Sequence, residues 1–319
     1  MTAPLPLALC GIGRFAERRI LPALAACPDI RVSAVISRTR AAFACDGRAV
    51  PVFPTLDAFL QTRPSGAVYI LTPNALHAPQ SIAALTVGLD VLCEKPIATS
   101  SHDAARMLDA ARAAGRHLQI AHVLRDSAAM RTLADWLADG RIGAVTDAHA
   151  EVDFDLPPSA RSWVDDPHLA GGGVLLDLGV HCVDLFQWLF GGPLMAEAAA
   201  FDRAAGAATE TGVTAAFRAG AVRCRLTLHN GRSFKSRLAI QGERGRIVVD
   251  AFTASWGEAV LECPEADVRT SVDVSASYQR QLAGFAARVQ RPPDYRATED
   301  AVAGLRLIES LYHRGRHPS

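Results

Sequence analysis

The stretch Leu5-Pro6-Leu7-Ala8-Leu9-Cys10-Gly11-Ile12-Gly13-Arg14-Phe15-Ala16 decides the fold. Leu5–Cys10 is a short, nearly continuous apolar run, which suits a strand covered on both faces. Two glycines follow at once, and a helical run extends from Ala16 to Cys27. Glycine at 11 permits a tight turn, glycine at 13 lets backbone approach a pyrophosphate, and the small Ala16 lets the helix pack closely on its strand. The helix start then offers N–H groups and a favourable dipole to phosphates. Strand, glycine turn and helix in this order predict a dinucleotide-binding unit whose phosphate loop is Gly11, Ile12, Gly13, Arg14 and Phe15.

Working outward, β-like runs at Ile30–Ile36, Ala67–Leu71, Val91–Cys93 and Leu118–Ala121 alternate with helical runs at His77–Val87 and Ser101–Ala114. Such alternation predicts parallel βαβ units in a doubly wound sheet. After about residue 122 the pattern changes to a helix (Ser127–Asp139), a strand (Val145–Phe154), a helix (Leu175–Phe190) and then longer strands in succession. Val222, Cys224, Leu226 and Leu228 alternate with Arg223, Arg225, Thr227 and His229, the period-two pattern of a strand with one buried face. Helices at 277–289 and 298–313 close the chain. The fold class is therefore α/β, in two domains. Residues 1–122 are expected to form an N-terminal doubly wound domain, and residues 123–319 a C-terminal α+β domain with antiparallel strands.

The 319 residues are half apolar, and 33 acids balance 33 bases. No basic stripe is interleaved with aromatics, so nucleic acid is not expected as a partner. The N-terminal apolar stretch has no positive lead and is too short to span a bilayer, so neither export nor membrane anchoring is expected. Seven scattered cysteines contain no Cys-x-x-Cys pair, which predicts reduced thiols in a cytoplasmic protein.

Lys95 is one of two lysines beside thirty-one arginines. A compact amine that must reach one oxygen, or whose pKa burial must adjust, cannot be replaced by a planar guanidinium. Glu94-Lys95-Pro96 follows the Val91–Cys93 strand, so it arrives at the carboxyl edge of the sheet where doubly wound domains bind ligands. Leu71-Thr72-Pro73-Asn74-Ala75-Leu76-His77 reaches the same edge; Thr72, Pro73, Asn74 and His77 are expected near ribose or nicotinamide, although Asn74 could equally be a helix cap. After the second strand the chain reads Ser37-Arg38-Thr39-Arg40, with no acid for a ribose 2′-hydroxyl. A hydroxyl and an arginine suit a 2′-phosphate instead. Ser37 and Arg38 therefore point to NADP(H) as the preferred cofactor, with NAD(H) possible.

Together these residues resemble the glucose-fructose oxidoreductase / inositol dehydrogenase / rhizopine catabolism family, Gfo/Idh/MocA. The resemblance rests on the glycine loop at 11–16, the run Thr72–His77, the motif Glu94-Lys95-Pro96 and the run from Gly171 to His181. Weaker echoes are Arg125, Gly140–Gly143, Arg161-Ser162-Trp163 and Glu299-Asp300. It implies an N-terminal Rossmann domain at 1–122, a C-terminal α+β domain at 123–319 on a large open, mainly antiparallel sheet, pyridine-nucleotide-dependent oxidation or reduction of sugars, polyols or their derivatives, and a homodimer or homotetramer. Lys95, Asp177 and His181 match the family's catalytic residues, and the Lys95–Pro96 bond is often cis in relatives. Arg125 and Arg161 would line the substrate cleft, and Trp163 could pack on a sugar ring. His122 stands where relatives more commonly carry tyrosine; it marks either a changed substrate pocket or a buried histidine bonded to backbone.

Independently of the resemblance, Asp177 and His181 at i and i+4 lie on one helix face. Hydride exchange with a carbinol carbon requires a proton shuttle, for which His181 is suited, while Lys95 can stabilise alkoxide charge and Asp177 can hold a substrate hydroxyl. Lys95 could instead donate the proton, with His181 as binder. Asp184 could orient His181 or serve as a salt-bridge partner. Metal binding by Asp177, His181 and His122 lacks a persuasive ligand spacing, and no metal is expected. The expected function is an NAD(P)-dependent oxidoreductase of a sugar, polyol or related keto or hydroxy compound. The rivals are an NAD-dependent glycosidase on the same scaffold and a non-catalytic nucleotide-binding regulator.

Overall fold

The computed structural model describes residues 3–45, 47–155 and 162–316. The chain divides into two compact units, one running to Ala121 and taking up Tyr278–Val302, the other comprising His122–Ser277 and the chain from Ala303 onward.

In the first unit six parallel strands run in the order Val52–Phe53, Ile30–Ile36, Leu5–Cys10, Ala67–Ile70, Asp90–Cys93, Leu118–Ile120. The central strands are buried along nearly their whole length, because helices cover both faces of a parallel sheet. Leu7, Leu9, Ile70 and Leu92 are fully enclosed, each stabilising the unit by roughly 1.5–3 kcal/mol. Ser100 caps the helix Ser101–Ala114 by accepting the Asp103 N–H at 3.1 Å, and Gly115 ends it in the left-handed region. The two-residue edge strand at 52–53 and the ladder of Phe43–Cys45 with Arg48–Val50 have no counterpart in the sequence pattern, being too short for a periodic signal.

The helix Ser277–Arg288 begins at the border of the units and contributes to the first. Leu282, Phe285 and Ala286 pack in one cluster with Leu5, Leu7, Leu9, Ile20 and Leu24. This differs from a plain division at 122/123: an apolar stripe at i, i+3, i+4 does not specify which sheet it will cover.

In the second unit, among the described residues, eight strands run in the order Leu194–Asp202, Gly212–Ala219, Val222–Asn230, Val145–Phe154, Lys235–Gly242, Gly245–Asp250, Glu258–Cys263, Val268–Asp273. Neighbours are antiparallel except Val145–Phe154 beside Val222–Asn230. Val222, Cys224, Leu226 and Leu228 are buried, and the helices Ala128–Ala138 and Val180–Phe190 pack against the sheet. The alternate positions carry paired charges, among them Arg223 donating twice to Asp147 at 2.8 and 2.9 Å and Lys235 with Glu151 at 3.1 Å. The run Pro167–Phe190 is long and apolar enough to cross a membrane by composition, but 67% of its most apolar window is buried within the protein.

Candidate active site and family membership

The first unit gathers its candidate residues at one sheet edge. Gly11 N–H donates to Ile36 O (3.0 Å), Leu71 N–H to Cys10 O (2.8 Å) and Glu94 N–H to Ile70 O (2.9 Å). The ladder thus continues one residue past each strand, and the loops begin level with one another. Strand order reverses beside Leu5–Cys10, so the crevice toward Ala67–Ile70 is the switch point at which such sheets bind ligands.

Gly11 sits at φ +94, and a Cβ there would stand 3.0 Å from both Leu71 O and Thr72 Cγ2. Gly11→Ala is therefore expected to weaken nucleotide binding by about tenfold or more through backbone strain, measured by fluorescence titration; unchanged affinity would remove the loop from the binding site. Beyond its own chain neighbours, no atom lies within 4 Å of where a Cβ on Gly13 would stand, leaving open space beside the helix start. Ala16 is buried and Phe15 meets Tyr278 edge-on at 5.7 Å. The helix is not regular: Ala16–Ile20 form a π turn before Leu21–Ala25. Pro22 lacks the N–H that the carbonyl of Arg18 would accept, which accounts for the widened ladder just ahead of it.

At the end of the second strand, Ser37 Oγ accepts the N–H groups of Thr39 (3.3 Å) and Arg40 (3.2 Å), fixing the turn. Arg40 is drawn into an ion pair with Glu17. Arg38 is exposed and among the described residues has no ion-pair partner.

Thr72 Oγ1 donates to Gln80 Oε1 at 2.6 Å. His77 is wholly buried, with Nδ1 2.7 Å from Pro96 O and Nε2 2.9 Å from Thr72 O. Both ring nitrogens are thus taken by protein carbonyls, and His77 ties two loops together rather than touching nucleotide. A neutral ring donates to one of the two, the nearer being Pro96 O, and burial holds its pKa below the ordinary range against the pull of the carbonyls. Asn74 is buried in the short turn Asn74–Leu76, and neither that turn nor the helix His77–Thr86 has a side-chain cap.

The Lys95–Pro96 bond is cis. Glu94 is gripped from below: Tyr69 OH donates to Oε1 at 2.6 Å, and the Lys95 N–H to Oε2 at 3.3 Å. Tyr69 is fully buried, and burial followed by the Glu94 charge drives its phenol pKa well up, so it remains a donor. Cys10 and Cys93 end their strands beneath these loops; burial pushes Cys10 up to about 12 and Cys93 higher, so neither supplies a thiolate.

The second unit carries Asp177 in a π turn, Leu175–Gly179, that runs into the helix Val180–Phe190 bearing His181. One turn beyond, buried Asp184 receives both Arg125 Nε (2.9 Å) and Nη2 (2.7 Å). Asp184 is thus a buried ion-pair partner, and Arg125, expected to line a substrate cleft, is committed to it by a bidentate grip. His122 is buried; its Nε2 lies 3.7 Å from Asp184 Oδ1, and its ring stands edge-on to that of His181 with centroids 6.4 Å apart. Trp163 is half-buried in the short helix Ser162–Asp165. Arg161 lies outside the described residues. Among the described residues no cluster of three or more His, Cys, Asp or Glu could hold a metal.

A Cβ on Gly173 would meet the backbone Glu210 O at 2.2 Å and one on Gly172 would meet Tyr312 OH at 2.6 Å, so the space beside these glycines before Asp177 is filled by the protein itself. Tyr69, Glu210 and Tyr312 are absent from the sequence reading. Tyr69 had one signal, a phenol inside an apolar strand, which needs a buried partner.

Residues 5–122 match the family model for the oxidoreductase family with NAD-binding Rossmann fold, GFO_IDH_MocA, and residues 130–248 match the GFO/IDH/MocA C-terminal domain. The D-xylose 1-dehydrogenase (NADP(+)) 2 of Haloferax volcanii is 30% identical over 96% of this chain and 95% of its own. The chain belongs to the Gfo/Idh/MocA family. Another member, the 1,5-anhydro-D-fructose reductase of Ensifer adhaerens, is 33% identical over 75% of this chain and 74% of its own. In fold the chain is similar to the 3-ketoreductase KijD10 from Actinomadura kijaniata, solved with NADP and TDP-benzene, at a TM-score of 0.86 and 23% identity over 97% of both chains.

This Gfo/Idh/MocA protein is an NAD(P)-binding oxidoreductase. Its first unit fits a dinucleotide: Gly11 would accept a side chain only with strain, the space at Gly13 is open, and the edge offers polar groups of Ser37, Thr72 and Glu94.

Proposed function

We propose that this oxidoreductase prefers NADP(H) and interconverts C=O and CH–OH in a sugar, polyol or related compound. One observation carries the reading: Lys95 leaves the sheet at the edge that bears the glycine loop, on a segment braced by Tyr69–Glu94 and His77–Pro96. The names of the relatives, a sugar reductase and an NADP(+)-linked xylose dehydrogenase, support the substrate class.

The bound nicotinamide supplies or accepts the hydride. The protein's own work concerns the oxygen. As a carbonyl carbon is reduced, its oxygen gains negative charge and must be protonated at nearly the same time. The Lys95 ammonium stabilises that charge, and His181, whose side-chain type titrates near neutral pH, carries the proton. Asp177 accepts a hydrogen bond from a neighbouring substrate hydroxyl.

Arg38 supports NADP(H), because Ser37 Oγ holds the turn and Arg40 is paired with Glu17, leaving Arg38 to meet a 2′-phosphate. Stripped protein is expected to bind NADPH about tenfold or more tightly than NADH, and Arg38→Ala to cost NADPH about 10- to 100-fold with little effect on NADH. Equal affinities, or equal losses, would overturn the preference. Turnover is tested with NADPH and 1,5-anhydro-D-fructose, and with NADP+ and D-xylose; inactivity across a wider carbonyl and sugar panel would sink the substrate class.

A further inference from the structure

We propose that Glu210 and Tyr312 are positioning residues for the reaction, acting through the helix start that carries Asp177; this rests on the reading that Asp177 takes part in turnover. The first intrahelical bond here is Asp177 N–H to Gly173 O at 3.0 Å, so the N–H groups just before Asp177 need partners from elsewhere. Glu210 provides them, and Tyr312 holds Glu210. The Glu210 carboxylate accepts from Gly173 N–H, 3.1 Å to each oxygen, and from Leu175 N–H at 3.1 Å. Its backbone carbonyl accepts from Val174 N–H at 3.2 Å. Tyr312 OH donates to Glu210 Oε1 at 2.6 Å and so holds the carboxylate in place.

One carboxylate, held by one phenol, therefore caps a helix start to which both are remote in sequence. The cap is charged, and negative charge is favourable at this end of a helix. It is also rigid: Phe201 stacks on Tyr312 with centroids 5.3 Å apart and planes at 14°. Gly172 and Gly173 admit it, since a methyl on either would displace the phenol or Glu210. The turn so held is the π turn Leu175–Gly179, which carries Asp177. Misplacing a reacting group by about 1 Å costs on the order of 100-fold in rate.

Hydrogen exchange and kinetics on the full chain test this together. In Glu210→Ala the amides from Gly173 to Asp177 are expected to exchange at least about tenfold faster, and kcat with NADPH and the best carbonyl of the panel to fall about 10- to 100-fold. The dissociation constant for NADPH should stay within about threefold. Glu210→Gln keeps an acceptor oxygen and is expected to restore both protection and kcat, whereas Tyr312→Phe loses one hydrogen bond and falls between. In an Asp177→Ala background, Glu210→Ala should add no further loss. Fast exchange with wild-type kcat would reduce the pair to a structural cap, and losses that multiply with Asp177→Ala would show that they do not act through it. Wild-type turnover in Asp177→Ala alone would instead sink the role given to Asp177, and the positioning role with it.

Discussion

Lys95→Ala is expected to lower kcat by on the order of 10²- to 10⁴-fold while the dissociation constant for NADPH changes less than about threefold. The separation follows from how the loop is held. Tyr69 OH to Glu94 Oε1 at 2.6 Å and His77 Nδ1 to Pro96 O at 2.7 Å fix the residues on either side of Lys95 without its ammonium. Truncation therefore removes a charge from a loop that keeps its course. Lys95→Arg should restore little, because a planar fork cannot bring one compact charge to one oxygen. Steady-state rates beside a fluorescence titration of nucleotide decide the matter. Wild-type turnover in Lys95→Ala would end its catalytic assignment, and an equal loss of rate and NADPH affinity would make it a cofactor ligand.

The parallel sheet was legible because its strands are enclosed on both faces and their sequences are correspondingly unbroken: Leu5–Cys10, Ile30–Ile36 and Asp90–Cys93 stand within a residue of the expected bounds. Val145–Phe154 and the alternating strand from Val222 were legible for the opposite reason, one wet face and one dry. The glycine loop could be read because a positive φ and a close approach leave a trace in residue type. What holds the site left none. His77 looked like a nucleotide ligand at a sheet edge, and nothing local reveals that both its nitrogens meet carbonyls, one from a loop nineteen residues away. Glu210 lies thirty-seven residues beyond the glycine it caps, and Tyr312 a further hundred and two. Neither falls within any helical or strand period, so pattern cannot pair them. The π turns were equally hidden: Asp177 and His181 keep their i, i+4 spacing in sequence whether or not the ladder widens between them.

Arg125→Ala is expected to destabilise the folded protein by about 3–5 kcal/mol, more than Asp184→Ala. The asymmetry lies in which charge is left behind. The Asp184 side chain is 3% exposed, short, and receives both its charge-assisted hydrogen bonds from Arg125. His122 Nε2, at 3.7 Å, is beyond hydrogen-bond reach and cannot replace the guanidinium without moving. Loss of Arg125 thus strands a carboxylate in the interior. Loss of Asp184 leaves a guanidinium on a long stem whose side chain is already 18% exposed and can turn toward water. Arg125→Lys keeps the charge but not the fork, and should lie between wild type and alanine. Denaturant unfolding followed by a probe in the second unit measures the shift, provided the slope is unchanged. The experiment also separates two roles for Arg125. A large loss of stability with an unaltered KM makes it the anchor of Asp184, which sits one helical turn past His181; wild-type stability with a raised KM would return it to the substrate.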